Sequence, residues 1–296
     1  MIARSRERGS RSWQRCVAFT CAMVVCFFSV NTHAMTRVGL WGAPAAVVQQ
    51  LRSTQPQIDW QAEPLGADTQ LHIAWHADAY DRLLTAEKRE PILLLISSLT
   101  QRNLARAHDS ALLWGPPLLQ QVRLARRVMP LAKRVGVIAR QGLDREAQLS
   151  QARHLETLAA GVRSEGITLV PLLLTPPISA RALAEASEQV DIFVATNDEV
   201  LFNRDTAKLI LLTAYRHQKA LIGPSPAFVS AGAVATMAVP KSALIAELIA
   251  RVEHWQKTGR LGEPKTVEQF QPLLNPQVAR SLGLYLTPDL LREAQP

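Results

Sequence analysis

Three apolar stretches decide the fold class of this chain: Val190-Asp-Ile-Phe-Val-Ala-Thr-Asn-Asp-Glu199, Ala220-Leu-Ile-Gly-Pro-Ser225 and Ser230-Ala-Gly-Ala-Val-Ala-Thr-Met-Ala-Val239. Each stretch is short, contains β-branched or other apolar residues and stops at small or polar ones, which is typical of strands buried on both faces of a sheet. A helix is expected between the first two. This combination predicts an open α/β sheet, in which ligands bind beyond the carboxyl ends of the strands.

Strands and helices alternate along the rest of the chain. Further strands are predicted at residues 36–42, 57–61, 71–75, 91–96, 134–139 and 167–174. Helices are predicted at residues 45–52, 78–88, 118–129, 144–165, 180–186, 203–218, 241–257, 276–282 and 288–293. Only about eight residues separate the second and third strands, so either these two are not parallel or a crossover helix is missing. The alternation predicts an α/β protein with doubly wound parallel sheets.

The first 34 residues have the pattern of a secretory signal peptide. Five arginines precede an uncharged apolar run at residues 16–30, and Thr32-His-Ala34 ends on a small residue. Cleavage is expected after Ala34 and would release the protein into the periplasm. The alternative is an uncleaved membrane anchor, which is disfavoured because about 15 apolar residues fall short of the roughly 20 that span a bilayer.

Removal of this segment changes what the composition implies. All three cysteines, Cys16, Cys21 and Cys26, lie inside it, so the remaining 262 of the 296 residues contain no thiol and depend on an ordinary core. The segment also carries +4 of the formal net charge of +8, and the remainder gives little reason to propose a nucleic-acid partner. A chain of this length is near the size at which one core gives way to two, which predicts two lobes.

Four segments of the chain form a recognisable series. They are the helix, proline and Lys133-Arg-Val-Gly-Val137 strand of residues 121–138, the stretch Val190-Asp-Ile-Phe-Val-Ala-Thr-Asn-Asp198, the stretch Ala231-Gly-Ala-Val-Ala-Thr-Met-Ala-Val239, and Asn275-Pro-Gln-Val-Ala-Arg-Ser-Leu-Gly-Leu-Tyr-Leu286. In this order they resemble extracytoplasmic solute-binding proteins of ABC transporters, in the branch related to tryptophan- and tyrosine-binding members. The resemblance covers about residues 111–288 and is poor before them.

The resemblance implies a type I periplasmic-binding-protein fold, in which two α/β lobes joined by a hinge close on a small ligand. One lobe would comprise residues 35–115 and 227–266, and the other residues 116–226 and 267–296. The implied function is that of an exported solute-binding protein of an ABC-type uptake system, which captures a small, amino-acid-like organic ligand and passes it to a membrane permease. Such a protein is expected to act as a monomer, without a cofactor and without catalysing a reaction.

Polar residues at predicted strand ends match the positions that contact ligand in this family. They are Ser97, Ser98, Thr196, Asn197, Asp198 and Ser225. Hydroxyl, amide and backbone N–H groups can bind a carboxylate, and Asp198 can take an amine. The alternative is purely structural, because Asn and Asp commonly occupy turns and helix caps, and the two adjacent serines can simply start a helix.

The first lobe departs from the family pattern. Gly42-Ala-Pro-Ala-Ala46 stands where aromatic and polar residues are expected after the first strand, and Pro240-Lys241 replaces an Asp-Tyr pair. An alternative function follows from these differences. The protein would then be a sensory or accessory module of the same fold, with an eroded pocket, that docks on a membrane receptor or kinase.

Other kinds of site are not favoured by the sequence. His72 and His76 have the spacing of zinc ligands on a helix, but residues 71–75 are predicted as a strand, in which the two lie about 13 Å apart. Four tryptophans near strand ends are expected mainly in the core, with one or two able to stack on an aromatic ligand: Trp41, Trp60, Trp75 and Trp114. The known nucleophile, phosphate and dinucleotide motifs do not occur, so a hydrolase of scattered Ser, His and Asp residues is only the minor alternative.

Overall fold

The structure is a computed structural model that describes residues 35–63, 68–99 and 103–294. The predicted signal peptide and its cleavage point after Ala34 lie outside the described residues. Within those ranges, none of the helices has the length and apolar character needed to cross a membrane.

Strands and helices alternate as the sequence predicts. The strands are β1 (Thr36–Trp41), β2 (Ile58–Ala62), β3 (Leu71–Ala74), β4 (Ile92–Ile96), β5 (Ser110–Leu113), β6 (Arg134–Arg140), β7 (Thr168–Leu174), β8 (Ile192–Ala195), β9 (Ala220–Ile222), β10 (Ala235–Ala238), β11 (Lys265–Thr266) and β12 (Gln271–Leu274). The helices are α1 (Ala45–Thr54), α2 (Ala77–Thr85), α3 (Leu118–Val128), α4 (Arg145–Arg163), α5 (Ala180–Ser187), α6 (Arg204–Arg216), α7 (Pro226–Ala231), α8 (Lys241–Thr258), α9 (Pro276–Ser281) and α10 (Pro288–Glu293).

The strands form two six-stranded sheets. The first sheet has the order β11-β5-β4-β3-β1-β2, and the second has the order β12-β10-β9-β8-β6-β7. The pairings of β1, β3, β4, β5 and β11 in the first sheet are parallel, as are those from β7 to β10 in the second. Strand β12 pairs antiparallel to β10. The α/β prediction with two mainly parallel sheets is confirmed.

The second and third strands are not neighbours in the sheet. Strand β1 lies between β2 and β3, and it pairs in parallel with β3 through Val38 opposite Leu71.

The chain passes between the two sheets at three places. They are residues 114–117 before α3, residues 239–240 before α8, and residues 267–270 before β12. The second passage differs from the lobe boundary predicted at residue 227. Strand β10 pairs with β9 and β12, so both it and the preceding helix α7 belong with the second sheet. The predicted strand at residues 230–239 is correspondingly shorter, because Ser230 and Ala231 end α7.

Each sheet has apolar cores on its two faces. In the first sheet, Val38 and Leu40 of β1 pack in one core with Leu248 and Val252 of α8 and with Val267. Helix α8 follows β10 of the second sheet in the chain, yet it completes the core of the first. The cores of the second sheet contain α3, α4, α9 and α10 on one face, and α5 to α7 on the other.

Candidate functional site

A cavity of about 370 Å³ lies at the carboxyl ends of β6 and β8. It is lined by Ser98, Pro116, Leu118, Ala139, Leu143, Ala147, Ser150, Gln151, His154, Leu155, Ala195, Thr196, Asn197 and Asp198. Four of the six predicted site residues are therefore brought together: Ser98 follows β4 of the first sheet, and Thr196, Asn197 and Asp198 follow β8 of the second. The carboxyl end of a parallel sheet is the usual place of a ligand site in this class of fold.

Thr196 and Asn197 are held by main-chain carbonyl groups on either side of the cavity. The Thr196 hydroxyl donates a 3.0 Å hydrogen bond to the carbonyl oxygen of Ile138, on the neighbouring strand β6. The Asn197 Nδ2 donates a 3.1 Å bond to the carbonyl oxygen of Pro116, in the first passage between the sheets. These bonds fix both side chains at the cavity wall.

Asp198 is buried and makes three polar contacts. One carboxylate oxygen accepts from the backbone N–H groups of Val200 and Leu201 at 2.9 and 3.1 Å, which closes the turn after β8. The other oxygen lies 3.0 Å from Nε of Arg140, the last residue of β6. The carboxylate proposed as an amine acceptor therefore already has a cationic partner.

Ser97 lies beside this cavity, in a smaller one of about 150 Å³. Its hydroxyl donates a 3.0 Å hydrogen bond to a carboxylate oxygen of Glu199, the residue after Asp198. The smaller cavity is also lined by Trp114 and His76. After β4, Ser97 lines the smaller cavity and Ser98 lines the larger one. After β8, Glu199 lines the smaller cavity and Asp198 lines the larger one.

Ser225 lies apart from the other predicted residues. It precedes α7 and lines a different cavity, of about 690 Å³, together with Phe202, Leu211 and Tyr215 from the region of α6. Ser225 follows β9 and is the N-cap residue of α7. The structure therefore does not bring Ser225 to the cavity that contains Thr196.

One wall of the 370 Å³ cavity comes from α4, which the sequence interpretation did not include in the site. The lining residues on and just before this helix are Leu143, Ala147, Ser150, Gln151, His154 and Leu155. Their spacing of three and four places them on one helix face, which is the signal that was available in the sequence. Gln151 links this wall to the strand ends, because its Nε2 donates a 3.0 Å bond to the carbonyl oxygen of Arg140.

The passage between the sheets approaches the site closely at Gly115. Its backbone N–H donates a 3.1 Å bond to the carbonyl oxygen of Ser97. A Cβ atom at this position would collide with that carbonyl group and lie 2.7 Å from Nδ2 of Asn197. The absence of a side chain therefore allows β4, β8 and the passage to meet at one point.

The two histidines considered for zinc are held separately. His72 lies in β3 and is buried, and its Nδ1 accepts a 3.2 Å bond from Nε1 of Trp41. Burial lowers the pKa of His72, against the opposing effect of Glu90, whose carboxylate lies 3.4 Å from Nε2. His76 stands at the start of α2 and lines the smaller cavity. Among the described residues, no group of three potential metal ligands occurs.

No protein-family model matches the chain. The search of curated proteins found no match either. Solved structures do match, among them an ABC domain in complex with L-Trp from Streptococcus pneumoniae, with 15% identity, a TM-score of 0.58 and coverage of 88% of this chain and 98% of the other. A ligand-free, open substrate-binding protein with adhesive properties from Clostridium difficile matches with 13% identity, a TM-score of 0.61 and coverage of 86% and 97%.

A conserved domain protein from Vibrio cholerae matches similarly, with 15% identity, a TM-score of 0.57 and coverage of 88% and 99%. At these identities, the matches establish the fold. The chain has the two-sheet α/β fold of type I periplasmic-binding proteins, as its sequence predicts.

Proposed function

We propose that this protein is an exported solute-binding protein, which captures a small organic ligand in the 370 Å³ cavity and passes it to the permease of an ABC-type uptake system. The observation that carries the proposal is the convergence of Ser98, Thr196, Asn197 and Asp198 on that cavity. These residues come from strand ends of both sheets, where the α/β folds of this class place their ligands.

The dimensions and chemistry of the cavity support this proposal. Its volume is within the range of about 300–1,000 Å³ that is usual for small-molecule sites. Its lining combines apolar side chains with hydroxyl, amide, carboxylate and imidazole groups, which suits binding and orientation of a ligand. The L-Trp-bound structure from Streptococcus pneumoniae shares this fold and supports a ligand of similar size.

The contacts of Thr196 and Asp198 support binding rather than catalysis by these two residues. The hydroxyl of Thr196 donates to a main-chain carbonyl, and the carboxylate of Asp198 is paired with Arg140. An activated nucleophile requires a neighbouring base within hydrogen-bond reach, and these two side chains have other partners. We therefore assign them to ligand binding and to the shape of the cavity.

Cleavage of the chain after Ala34 would place the protein in the periplasm. There it would act as a monomer, and its partner would be a membrane permease. The two lobes, with the second passage placed at residues 239–240, would close on the ligand about the three passages between the sheets. Small-angle scattering tests this closure, since an unchanged radius at saturating ligand would contradict it.

The first experiment is a thermal-shift screen of residues 35–296 against amino acids, small carboxylates, nucleosides and neutral aromatic compounds. A ligand at 100 times its dissociation constant adds about 2.7 kcal/mol to the free energy of unfolding, which raises the melting temperature measurably. A hit supports the proposal. A blank screen on a folded sample contradicts it and favours the accessory module that docks on a membrane receptor or kinase.

Two glutamines of α4 provide a matched pair of variants for locating the ligand. Gln151 lines the cavity, whereas Gln148 lies on the same helix, is exposed and does not line it. The Gln151→Ala variant is expected to weaken binding of a hit about tenfold, since it removes an amide from the cavity wall. Gln148→Ala is expected to bind normally. Equal affinities of the two variants would place the ligand elsewhere.

A further inference from the structure

We infer that the ligand of the 370 Å³ cavity is a compact, largely apolar molecule with no formally charged group, and that Asp198 sets this preference by neutralising Arg140. The inference rests on the proposed function and narrows it. It also replaces the amino-acid-like ligand that the family resemblance implies, because an amino acid carries both an ammonium and a carboxylate group.

A buried ion pair lies at the cavity. Asp198 and Arg140 are both mostly buried, with side-chain exposures of 7% and 20%, and they contact each other at 3.0 Å. The second carboxylate oxygen of Asp198 is held by the backbone N–H groups of Val200 and Leu201. Asp198 lines the cavity, whereas Arg140 does not. A ligand ammonium group would have to share this carboxylate with Arg140, and a ligand carboxylate would be repelled by it.

Disturbing this ion pair on ligand binding is unfavourable in free energy. A buried ion pair that loses one partner retains an uncompensated charge, which is strongly unfavourable in a site shielded from water. A charged ligand must in addition give up its own hydration. The existing pair therefore disfavours ligands of either sign, whereas an uncharged ligand leaves the pair intact.

Half of the fourteen residues that line the cavity are apolar and suit apolar ligand surface. They come from the first passage, the start of α3, the strand ends, and α4 with the loop before it: Pro116, Leu118, Ala139, Leu143, Ala147, Leu155 and Ala195. The other half is polar and includes His154 of α4. Burial of apolar ligand surface against the apolar half supplies the main favourable contribution to binding.

Thr196 indicates which polar group the ligand should carry. The single hydroxyl proton of Thr196 is donated to the carbonyl oxygen of Ile138. Thr196 can therefore only accept a hydrogen bond from a ligand. A neutral donor, such as a hydroxyl or an aromatic N–H group, satisfies this acceptor without adding charge.

The experiment compares uncharged and charged forms of the same skeletons by isothermal titration calorimetry on residues 35–296. The 3-phenylpropyl, naphthylethyl and hexyl skeletons are each offered as the alcohol, the carboxylate, the amine and the α-amino acid. The alcohols are expected to bind at least about tenfold more tightly than their charged forms. Tighter binding of the charged forms would overturn the inference and uphold the proposed function. Binding in none of the forms would overturn both.

The Asp198→Asn variant tests the role of the ion pair. An asparagine at this position keeps an oxygen for Val200 and Leu201, so the turn is preserved while Arg140 loses its counter-charge. Affinity for the carboxylate probes is expected to rise about tenfold relative to that for the alcohols. Asp205→Asn is the matched control, because Asp205 is an exposed carboxylate in the first turn of α6 and does not line the cavity.

Two further variants keep the test decisive if Asp198→Asn is unstable. In Arg140→Gln, the carboxylate of Asp198 loses its counter-charge, and affinity for the amine probes is expected to rise instead. In the double variant Arg140→Gln/Asp198→Asn, both gains should disappear. Carboxylate and amine affinities that stay unchanged in the folded single variants would overturn the role assigned to Asp198.

Discussion

The hydroxyl of Ser97, after β4 of the first sheet, donates a 3.0 Å hydrogen bond to the carboxylate of Glu199, after β8 of the second sheet. The residues are 102 positions apart in the chain, and each is adjacent to a residue that lines the larger cavity. The bond therefore links the two sheets directly beside the proposed ligand site.

This link predicts a small coupling between the two side chains. We expect Ser97→Ala and Glu199→Gln each to lower the free energy of unfolding by less than about 1 kcal/mol, because the bond is exposed to solvent. A double-mutant cycle measured by urea unfolding should give a coupling energy of about 0.5 kcal/mol. Ser97→Ala combined with Glu146→Gln, an exposed residue of α4, should be additive and serves as the control.

Gly115 is predicted to be intolerant of a side chain. In Gly115→Ala the new methyl group would collide with the carbonyl group of Ser97 and crowd the Asn197 amide, so we expect a loss of about 1–3 kcal/mol of stability. Gly161→Ala is the matched control. Gly161 lies in α4 with open space around its Cβ position, so alanine there should be neutral or stabilise by up to about 1 kcal/mol. Equal melting temperatures of the two variants would contradict the close approach.

Gln121 is predicted to contribute strongly to the free energy of unfolding, through its contacts with the strands of the second sheet. This buried residue of α3 donates from Nε2 to the carbonyl oxygen of Gly223 at 2.9 Å, and its Oε1 accepts from the backbone N–H of Met237 at 2.9 Å. In Gln121→Leu the N–H of Met237 would be left without this acceptor, which should cost about 1–3 kcal/mol. Gln120→Leu, at the neighbouring and partly exposed position, should cost much less in urea unfolding.

The raised pKa of Tyr80 predicts that the protein loses stability at alkaline pH. Burial, and then the 2.7 Å hydrogen bond to Asp109, raise the pKa of Tyr80 from 10.0 to about 12. The folded state therefore retains the phenol proton at pH values where the unfolded state has released it. The contribution is fully present below pH 10.0 and is lost as the pH rises through about 12.

The Tyr80→Phe variant should show a weaker decline of stability between pH 10.0 and about 12, the window between the two pKa values, in urea unfolding. At neutral pH the variant is expected to be less stable by about 1–2 kcal/mol, because the backbone N–H of Ala105 loses the hydroxyl that accepts its bond. Parallel pH profiles of the two proteins would contradict the assignment.

The sequence was sufficient to predict the fold because its strands are nearly continuous apolar runs. Strand β4, with five buried residues from Ile92 to Ile96, and β8 are recognisable without knowing their neighbours. Thr196 and Asp198 could be selected for the same reason, since they follow directly after such a run. The signals are local in each of these cases.

The parts that sequence reasoning missed depend on contacts between distant segments. The pairing of Arg140 with Asp198 requires the register of β6 against β8, in which Ile138 lies opposite Ala195. The contribution of Gln151 requires the angle at which α4 crosses the strand ends. Ser225 follows a strand as Thr196 does, but it lines a different cavity with residues of α6, and the residues near it in the sequence do not indicate this.

The packing of α8 and Val267 against β1 has a consequence for the order in which the chain becomes structured. The core around Val38 and Leu40 is completed by residues more than two hundred positions later in the chain. During synthesis, the apolar face of the amino-terminal sheet is therefore covered only after almost the entire polypeptide has been made. A fragment that ends after β5 would leave this face open to water, so the first half cannot be produced by itself as a stable domain.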